Sequence, residues 1–404
     1  MNEGSLERSL LKLFGPAVLS LIIASGLGFI YWIVAAHLYT PAQVGRSGAT
    51  ISLIMGIGSV SSGGLYAVLL RTLSSHENPR RFHLVTCASV ALTGAMAGLV
   101  AGLFHLSAST IALQWLWLAV MSAIWSLFVL QDSILISLRK TKALFASNVG
   151  FGIVKLLLLV VFSGSSFGIF GSWALPLLVV VPSIAVAADR SLVRLAKSTS
   201  EAFKVTKSHV AAEYAAAFAA VVVFGGVPVI VSSIAGGTFA GVVYICWMLY
   251  LSVESVGTIL SSAIVSSSTE RGLDAEHAVR SARSAVPVLL GALVVCVIFA
   301  PVIMSIFGSS YSAGTPLLRL LLVGVMIRVF ANIALAARRV QAKFWRVAAS
   351  HASSAVVVAA GVAVSATHDS YIGIGLSLVV GSVVLTGVSV STAVVKGLRP
   401  KYTS

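Results

Sequence analysis

Three charged residues stand alone in long apolar runs of this sequence. Lys155 lies in FGIVKLLLLVV, Arg328 in LLLVGVMIRVFANIAL and Glu254 in YLSVESVGTIL. Ionisable residues at membrane depth are rare and usually face a water-filled cavity or one another. A lysine or an arginine there can bind an anion, and the planar fork of arginine suits phosphate oxygens. A glutamate there can balance an arginine or take up a proton or Na⁺.

Each of these residues also has a purely structural interpretation. Lys155 can pair across helices with Asp132 instead of contacting an anion. Glu254 can form a static salt bridge with Arg328 instead of coupling transport to an ion. Arg46, at the external start of a predicted helix, can hold an anion on release or reach lipid headgroups. Our substrate-binding candidates are therefore Arg328, Lys155 and Arg46, and our ion-coupling candidate is Glu254.

The elements that position these residues are predicted to be membrane helices. The 404 residues are 58% hydrophobic and only 10% charged, whereas a soluble domain has about 25% charged residues. A helix of about 20 apolar residues crosses a bilayer, and such runs recur along the whole chain. We predict an all-α membrane protein with about twelve transmembrane helices, at residues 12–37, 44–70, 82–105, 111–137, 145–163, 168–188, 213–235, 238–265, 285–307, 314–337, 347–366 and 371–393.

Lysine and arginine are distributed unevenly over the connections between these spans. The formal net charge is +15, and 23 of the 27 basic residues lie at the termini or in the connections after even-numbered spans. The opposite connections, such as HLSAST and GSSYSAGT, contain no lysine or arginine. Because cytoplasmic loops are enriched in these residues, we place both termini in the cytoplasm. The same enrichment explains the positive charge without a nucleic-acid partner.

Two weak internal correspondences predict a duplicated architecture. SILISLRKTKALF begins at Ser133 and NIALAARRVQAKF begins at Asn332, with four identities in thirteen positions. In each half a glycine, Gly45 or Gly241, follows the first external turn. We predict two six-helix lobes related by a pseudo-two-fold axis along the membrane normal. The predicted parts are an N-terminal lobe at 1–190, a cytoplasmic inter-lobe linker at 191–212 and a C-terminal lobe at 213–404.

The first correspondence places basic pairs at two cytoplasmic turns. Arg139 and Lys140 follow the fourth span, and Arg338 and Arg339 follow the tenth. One interpretation is that they only fix the topology. The other is that they flank a cytoplasmic mouth and attract an anionic lipid-linked substrate, since anionic headgroups attract each such charge by about 1 kcal/mol.

Prolines and small residues are expected to shape the spans. Proline removes a backbone hydrogen bond, so it can kink or end a membrane helix. Glycine and serine in the second and eighth spans allow helices to approach closely. The prolines in question are Pro16, Pro176, Pro182, Pro228, Pro287 and Pro301.

The sequence lacks the motifs of an enzyme. It contains no nucleotide-binding P-loop, zinc motif or catalytic triad, and its three cysteines lie in apolar runs without metal-ligand spacing. We therefore expect no catalytic residues, no metal and no cofactor. A membrane-embedded glycosyltransferase or polymerase would need a sizeable external loop, and every external connection is short. Two like helical bundles around a cleft are typical of alternating-access transporters.

Two stretches resemble one transporter family. HLYTPAQVGRSGATISLIMGIGSVSSGGLYAVLLRTL is similar to the first external turn and second helix of polysaccharide flippases, through Pro41, Gly45 and Arg71. IFGSSYSAGTPLLRLL resembles the family pattern at the start of the tenth span, through Phe307, Gly308, Tyr311, Ala313, Leu317 and Leu320. These are the Wzx-type O-antigen and exopolysaccharide exporters of the multidrug/oligosaccharidyl-lipid/polysaccharide exporter superfamily. Val44 departs from the pattern, where the family has a tyrosine.

The resemblance implies a flippase. Such a protein would move a polyprenyl-diphosphate-linked oligosaccharide from the inner to the outer leaflet of the inner (cytoplasmic) membrane, by alternating access, for surface polysaccharide assembly. Its partners would be the lipid bilayer, the lipid-linked oligosaccharide, a polysaccharide polymerase and glycosyltransferases. The alternative is a proton- or Na⁺-coupled multidrug or organic cation antiporter of the same superfamily. That alternative is disfavoured because cationic cargo needs buried acids, and intramembrane bases outnumber acids here.

Overall fold

The described chain is built from helices, which is what a bilayer demands of backbone groups that have no water to bind. The computed structural model describes residues 23–72, 78–105, 111–138, 140–165, 167–192, 207–271, 285–341 and 343–390. A short 3₁₀ segment, Ser309–Gly314, accompanies the α-helices. In chain order these are α1 (Ile23–Leu38), α2 (Pro41–Thr72), α3 (Pro79–His105), α4 (Ile111–Ser137), α5 (Thr141–Val161), α6 (Gly168–Leu192), α7 (Lys207–Phe224), α8 (Gly226–Ile234), α9 (Gly237–Arg271), α10 (Ala285–Ile298), α11 (Ala300–Ile306), α12 (Thr315–Val340), α13 (Phe344–Ala366) and α14 (Tyr371–Val390).

Each of the predicted spans overlaps a helix or a pair of helices. In the described part of the chain, eight helices are long and apolar enough to cross a membrane, or up to ten if each of two bent pairs counts as one span. The prediction of an all-α membrane protein is confirmed. The count of twelve and the cytoplasmic termini stay predictions, because residues 1–22 and 391–404 lie outside the described residues.

The chain forms two compact units. Unit 1 comprises Met1–Tyr39 and Leu53–Val210, and unit 2 comprises Thr40–Ser52 and Ala211–Ser404. The first turns of α2 therefore belong with the C-terminal helices, although the sequence placed them in the N-terminal lobe. Most of the predicted linker, residues 193–206, lies outside the described residues. The predicted lobe boundaries and the axis relating the lobes stay predictions.

Close helix approach in unit 1 depends on small residues. α3 packs along α4, α5 along α6, and α4 against α6. Gly98 of α3 lies so near α4 that a Cβ there would come within 2.8 Å of the Leu118 carbonyl oxygen and the Ala119 Cα. In lipid, such packing and not hydrophobic exclusion drives helix association. The glycines of α3 are thus required by the contact with α4.

Unit 2 is organised around α12. This helix packs against α9, α10 and α14, and α13 packs against α14 and α8. The start of α2 also contacts α9, where a Cβ on Gly45 would lie 2.6 Å from the Gly241 amide nitrogen. The two glycines matched in the sequence therefore meet. Because α12 is central, Arg328, which lies near the middle of this helix, is buried inside unit 2.

Two spans of unit 2 are broken. α7 and α8 meet at 42°, and α10 and α11 meet at 65°. Pro228 is the third residue of α8, and Pro301 is the second residue of α11. By contrast, Pro176 and Pro182 lie inside α6, which stays one continuous helix. Proline alone therefore does not decide where a helix breaks; Pro16 lies outside the described residues.

Candidate functional site

Glu254 and Arg328 form a charge pair inside unit 2. Arg328 Nε lies 3.1 Å from Glu254 Oε1, and each side chain is only 3% exposed. Asn332, one helical turn after Arg328 and on the same face of α12, donates its Nδ2 hydrogen to the same oxygen at 3.2 Å. The structure thus brings together two of the residues that the sequence singled out, as the salt-bridge interpretation expects. Their roles in substrate binding and ion coupling stay predictions.

Aromatic side chains surround this pair. The Arg328 guanidinium lies 4.9 Å from the centre of the Phe224 ring, within the distance at which a ring attracts a cation. Tyr250, one turn before Glu254 on α9, stacks on Phe224 with ring centres 6.5 Å apart. The Tyr250 hydroxyl and Glu254 Oε2 are buried and have no hydrogen-bond partner among the described residues. The charges of Glu254 and Arg328 therefore balance each other. The Tyr250 hydroxyl and Glu254 Oε2 can each still form a hydrogen bond.

Lys155 lies in unit 1, on α5, where aromatic rings replace a counter-ion. Its Nζ is 5.1 Å from the ring centres of both Tyr31 and Phe151. Tyr31 is held in place because its hydroxyl contacts the Ile169 carbonyl at 2.8 Å and Ser172 Oγ at 2.9 Å. Two fixed rings on α1 and α5 thus position the ammonium group of Lys155.

The charge of Lys155 is not neutralised within the described part of the chain. No carboxylate there forms an ion pair with it, including Asp132, the structural partner considered from the sequence. Lys155 is the fifteenth of the 21 residues of α5, which places it about 9 Å along the axis from Val161 at 1.5 Å per residue. An unpaired cation at this depth can attract an anion.

Of the 27 basic residues, four lie outside the termini and the predicted cytoplasmic connections. Besides Lys155 and Arg328 these are Arg46 and Arg319. Arg46 is exposed near the start of α2, in keeping with either an anion contact or a headgroup contact. Arg319, near the start of α12, is also exposed, and its Nε donates to the Val297 carbonyl at 3.3 Å. Arg319 therefore has a structural role within unit 2.

The predicted cytoplasmic mouth residues have different environments. Arg338 is 2% exposed, and it donates to the Arg346 and Val388 carbonyls and to Ser350 Oγ at 3.3, 2.7 and 2.9 Å. Arg339 is partly exposed and lies 3.4 Å from Glu213. Lys140 is exposed, and Arg139 lies outside the described residues. Attraction of an anionic lipid-linked substrate stays a prediction for Lys140 and Arg339. The Arg338 guanidinium, by contrast, makes its hydrogen bonds to groups inside the protein.

The two basic turns match in the structure with an offset of four residues from the correspondence read in the sequence. The Lys140 amide donates to the Leu135 carbonyl and the Lys343 amide to the Arg338 carbonyl, each five residues back, at 2.8 and 2.9 Å. Both lysines precede a helix with nearly the same backbone angles, φ −90° and ψ 56° against φ −92° and ψ 52°. The structural counterpart of Arg338 is therefore the buried Leu135, not Arg139. The register read from the sequence differs from this match by four residues, although α4 and α12 both end three residues before the matched lysine.

Several residues of the charged clusters were not found from the sequence. Phe151, Tyr250 and Asn332 each lie four residues from a charged candidate on the same helix, so helical spacing was a usable signal for them. Tyr31 and Phe224 reach their cations from other helices. No local pattern marks such contacts.

Comparison with known proteins agrees with this helical architecture. No family model and no curated protein sequence matches the chain, but 29 chains of solved structures do. A MATE transporter in complex with MaD3S gives a TM-score of 0.67 at 14% identity, covering 94% of this chain and 95% of that one. An outward-facing multidrug resistance MATE transporter of the MOP superfamily gives 0.63 at 16% identity, covering 94% of both chains.

A third solved structure has a similar fold. A MOP superfamily transporter from Pyrococcus furiosus gives a TM-score of 0.63 at 16% identity and covers 94% of both chains; its binding pocket is described as having reverse polarity, which suggests a different function. At these identities the similarity shows the fold and not the substrate. The chain therefore has the fold of MATE-type transporters of the MOP superfamily.

Proposed function

We propose that this protein is a transporter that works by alternating access and carries an anionic, lipid-linked cargo. The cargo is a polyprenyl-diphosphate-linked oligosaccharide, moved from the inner to the outer leaflet of the cytoplasmic membrane. The MATE-type fold supports alternating access, since multidrug resistance MATE transporters with this fold have been solved in an inward-facing and in an outward-facing conformation. The nature of the cargo rests on the charges of the protein itself.

The observation that carries the proposal is the charge of Lys155, which has no ion-pair partner among the described residues. Glu254 is paired with Arg328 at 3.1 Å, so this pair is neutral overall. Lys155 is held over two aromatic rings and has no acid partner in the described residues. The ammonium group of Lys155 therefore attracts a diphosphate and repels an organic cation.

The energies favour binding of an anion by Lys155. A lysine at the centre of a membrane helix costs about 2.5–3.5 kcal/mol, which is an upper value for Lys155 because it lies six residues from the end of α5. Cation–π contacts return about 0.5–2 kcal/mol, which is less than this cost. A charge-assisted hydrogen bond to phosphate contributes about 1.5–3 kcal/mol. The Lys155 ammonium group is thus stabilised further when an anion binds.

In this proposal Arg328, Arg46 and Glu254 have secondary roles. Arg328 can contact the diphosphate when it exchanges Glu254 Oε1 for a phosphate oxygen. Glu254 is the coupling acid, since its Oε2 is buried and has no partner among the described residues. Arg46, exposed near the start of α2, holds the diphosphate on release.

One observation favours organic cation antiport as the second candidate. Asp132 lies on α4 of unit 1, and its buried Oδ1 has no hydrogen-bond partner among the described residues. A buried carboxylate without a basic partner can bind a cation or a proton. The two candidates therefore predict dependence on different residues of unit 1, Lys155 for the flippase and Asp132 for the antiporter.

Transport by proteoliposomes distinguishes these candidates. The purified full chain is reconstituted, and translocation of a fluorescent polyprenyl-diphosphate oligosaccharide is compared with proton-driven export of a fluorescent organic cation. We expect flipping of the lipid-linked sugar to fall about 10-fold or more in Lys155→Met, since about 1.4 kcal/mol corresponds to a factor of ten, and to persist in Asp132→Asn. Arg81→Gln, which removes one charge at an exposed position of α3, is the matched control. Cation export that depends on Asp132, without flipping of the sugar, would overturn the proposal.

A further inference from the structure

The two broken spans of unit 2 share a feature that proline alone does not explain. In a continuous helix the carbonyl of each residue accepts from the amide four residues later. Proline has no amide hydrogen, so Pro228 leaves the Phe224 carbonyl without its helical donor. Pro301 does the same to the Val297 carbonyl. A carbonyl left unpaired in a membrane costs several kcal/mol.

At each break a side chain from another helix supplies the missing hydrogen bond. Trp247 of α9 donates from Nε1 to the Phe224 carbonyl at 2.9 Å. Arg319 of α12 donates from Nε to the Val297 carbonyl at 3.3 Å. The acceptor in each case is the one carbonyl that the proline deprives of its partner. The bent shapes, 42° and 65°, are thus paired with donors that compensate for the lost bonds.

The first break is also connected to the charge pair. Phe224 is the last residue of α7, and its ring lies against the Arg328 guanidinium and the Tyr250 ring. Trp247, fully buried, packs on Tyr250 with ring centres 4.7 Å apart. The residue at the break therefore contacts the Glu254–Arg328 pair through its ring and α9 through its carbonyl.

We propose that Trp247 and Arg319 are positioning residues for transport: each replaces the hydrogen bond that a proline removes and so holds a broken span of unit 2 in its bent form. The bend between α7 and α8 determines the position of the Phe224 ring. The ring in turn positions the Arg328 guanidinium for its ion pair with Glu254. The claim that transport needs the bent form rests on the proposed transport function. The existence of the two hydrogen bonds does not depend on that function. They can therefore be tested without a substrate.

A double-mutant cycle tests the first hydrogen bond. Trp247→Phe removes the donor, and Pro228→Ala restores an amide that can take the Phe224 carbonyl. The cavity left by Trp247→Phe is the same in both backgrounds, so only the hydrogen bond is non-additive. We expect the fall in the midpoint of thermal unfolding caused by Trp247→Phe to be about 2–6 °C smaller in the Pro228→Ala background. Arg319→Met with Pro301→Ala forms the second cycle.

The control is Pro176→Ala, since Pro176 lies inside the continuous α6 of unit 1. Its effect should add to that of Trp247→Phe without coupling. A spectroscopic measurement does not depend on whether the proline variants fold: the ultraviolet resonance Raman difference spectrum between wild type and Trp247→Phe isolates the indole of Trp247. We expect the frequency of a hydrogen-bonded indole N–H in wild type. The frequency of a free indole, or strict additivity in both cycles, would overturn the proposal.

Transport then tests the need for the bend. In the proteoliposome assay, folded Pro228→Ala should flip the fluorescent lipid-linked sugar at least about 10-fold more slowly than wild type and than Pro176→Ala. Unchanged flipping would overturn the positioning role. Wild type that moves no lipid-linked sugar would contradict the proposed cargo, and the hydrogen-bond cycles would still report on Trp247 and Arg319.

Discussion

Breaking the Glu254–Arg328 pair should destabilise the protein strongly, and removing both charges should not. Arg328→Met leaves Glu254 buried without its cation, and Glu254→Gln leaves Arg328 buried without its anion. Removing one partner of a buried pair costs about 3–5 kcal/mol, and with side chains only 3% exposed solvent screening is small. In a domain of about 150–250 residues each kcal/mol lowers the melting temperature by about 2–4 °C. Each single variant should therefore melt about 6–20 °C below wild type.

The double variant Glu254→Gln/Arg328→Met is the decisive comparison. The amide introduced by Glu254→Gln would keep an oxygen for the Asn332 side chain, and neither substituted position would then be charged. Replacing a buried pair by neutral groups of similar volume is often neutral or stabilising, so we expect the double variant to melt within about 5 °C of wild type. Thermal unfolding in detergent micelles, followed by tryptophan fluorescence, measures all four proteins. A double variant that loses the sum of the two single losses would refute a direct interaction between these charges.

Smaller perturbations test other contacts by the same unfolding assay. Gly45→Ala should cost about 1–3 kcal/mol, because its Cβ would lie 2.6 Å from the Gly241 amide nitrogen, whereas Gly150→Ala, with no atom within 4 Å of the new Cβ, should be neutral or slightly stabilising. Arg338→Met should cost about 3 kcal/mol or more, because the guanidinium donates three hydrogen bonds inside the protein. Arg339→Gln should cost less than about 1 kcal/mol, since its pair with Glu213 is partly exposed; equal losses at the two arginines would contradict this difference.

The helices could be predicted from the sequence because their signal is local. A run of apolar residues that must enter a bilayer has few alternatives to a helix, and the twelve predicted runs overlap the observed helices. The breaks could not be placed in this way. Pro176 and Pro228 look alike in the sequence, yet α6 continues through the first and the span containing the second is broken. A donor such as Trp247, which lies on another helix, is visible only in three dimensions.

The charged residues of the site were found from the sequence, but their environments were not. A charge in an apolar run is conspicuous, which is why Lys155, Glu254 and Arg328 were identified. That Glu254 meets Arg328 while Lys155 meets two aromatic rings depends on the packing of different helices. The burial of Arg338 was missed because four identities in thirteen positions do not fix the register of a turn, whereas the matched backbone of Lys140 and Lys343 does.

The central claim is that the unpaired charge of Lys155 binds the diphosphate of a lipid-linked substrate. The most direct test is equilibrium binding of polyprenyl diphosphate, without a sugar, to the purified chain in detergent, for wild type, Lys155→Met, Lys155→Arg and the control Arg81→Gln. We predict that Lys155→Met raises the Kd about 10- to 100-fold, as expected for the loss of about 1.5–3 kcal/mol, and that Lys155→Arg and Arg81→Gln bind nearly as wild type does. Equal affinity of wild type and Lys155→Met, with both proteins folded, would contradict the claim.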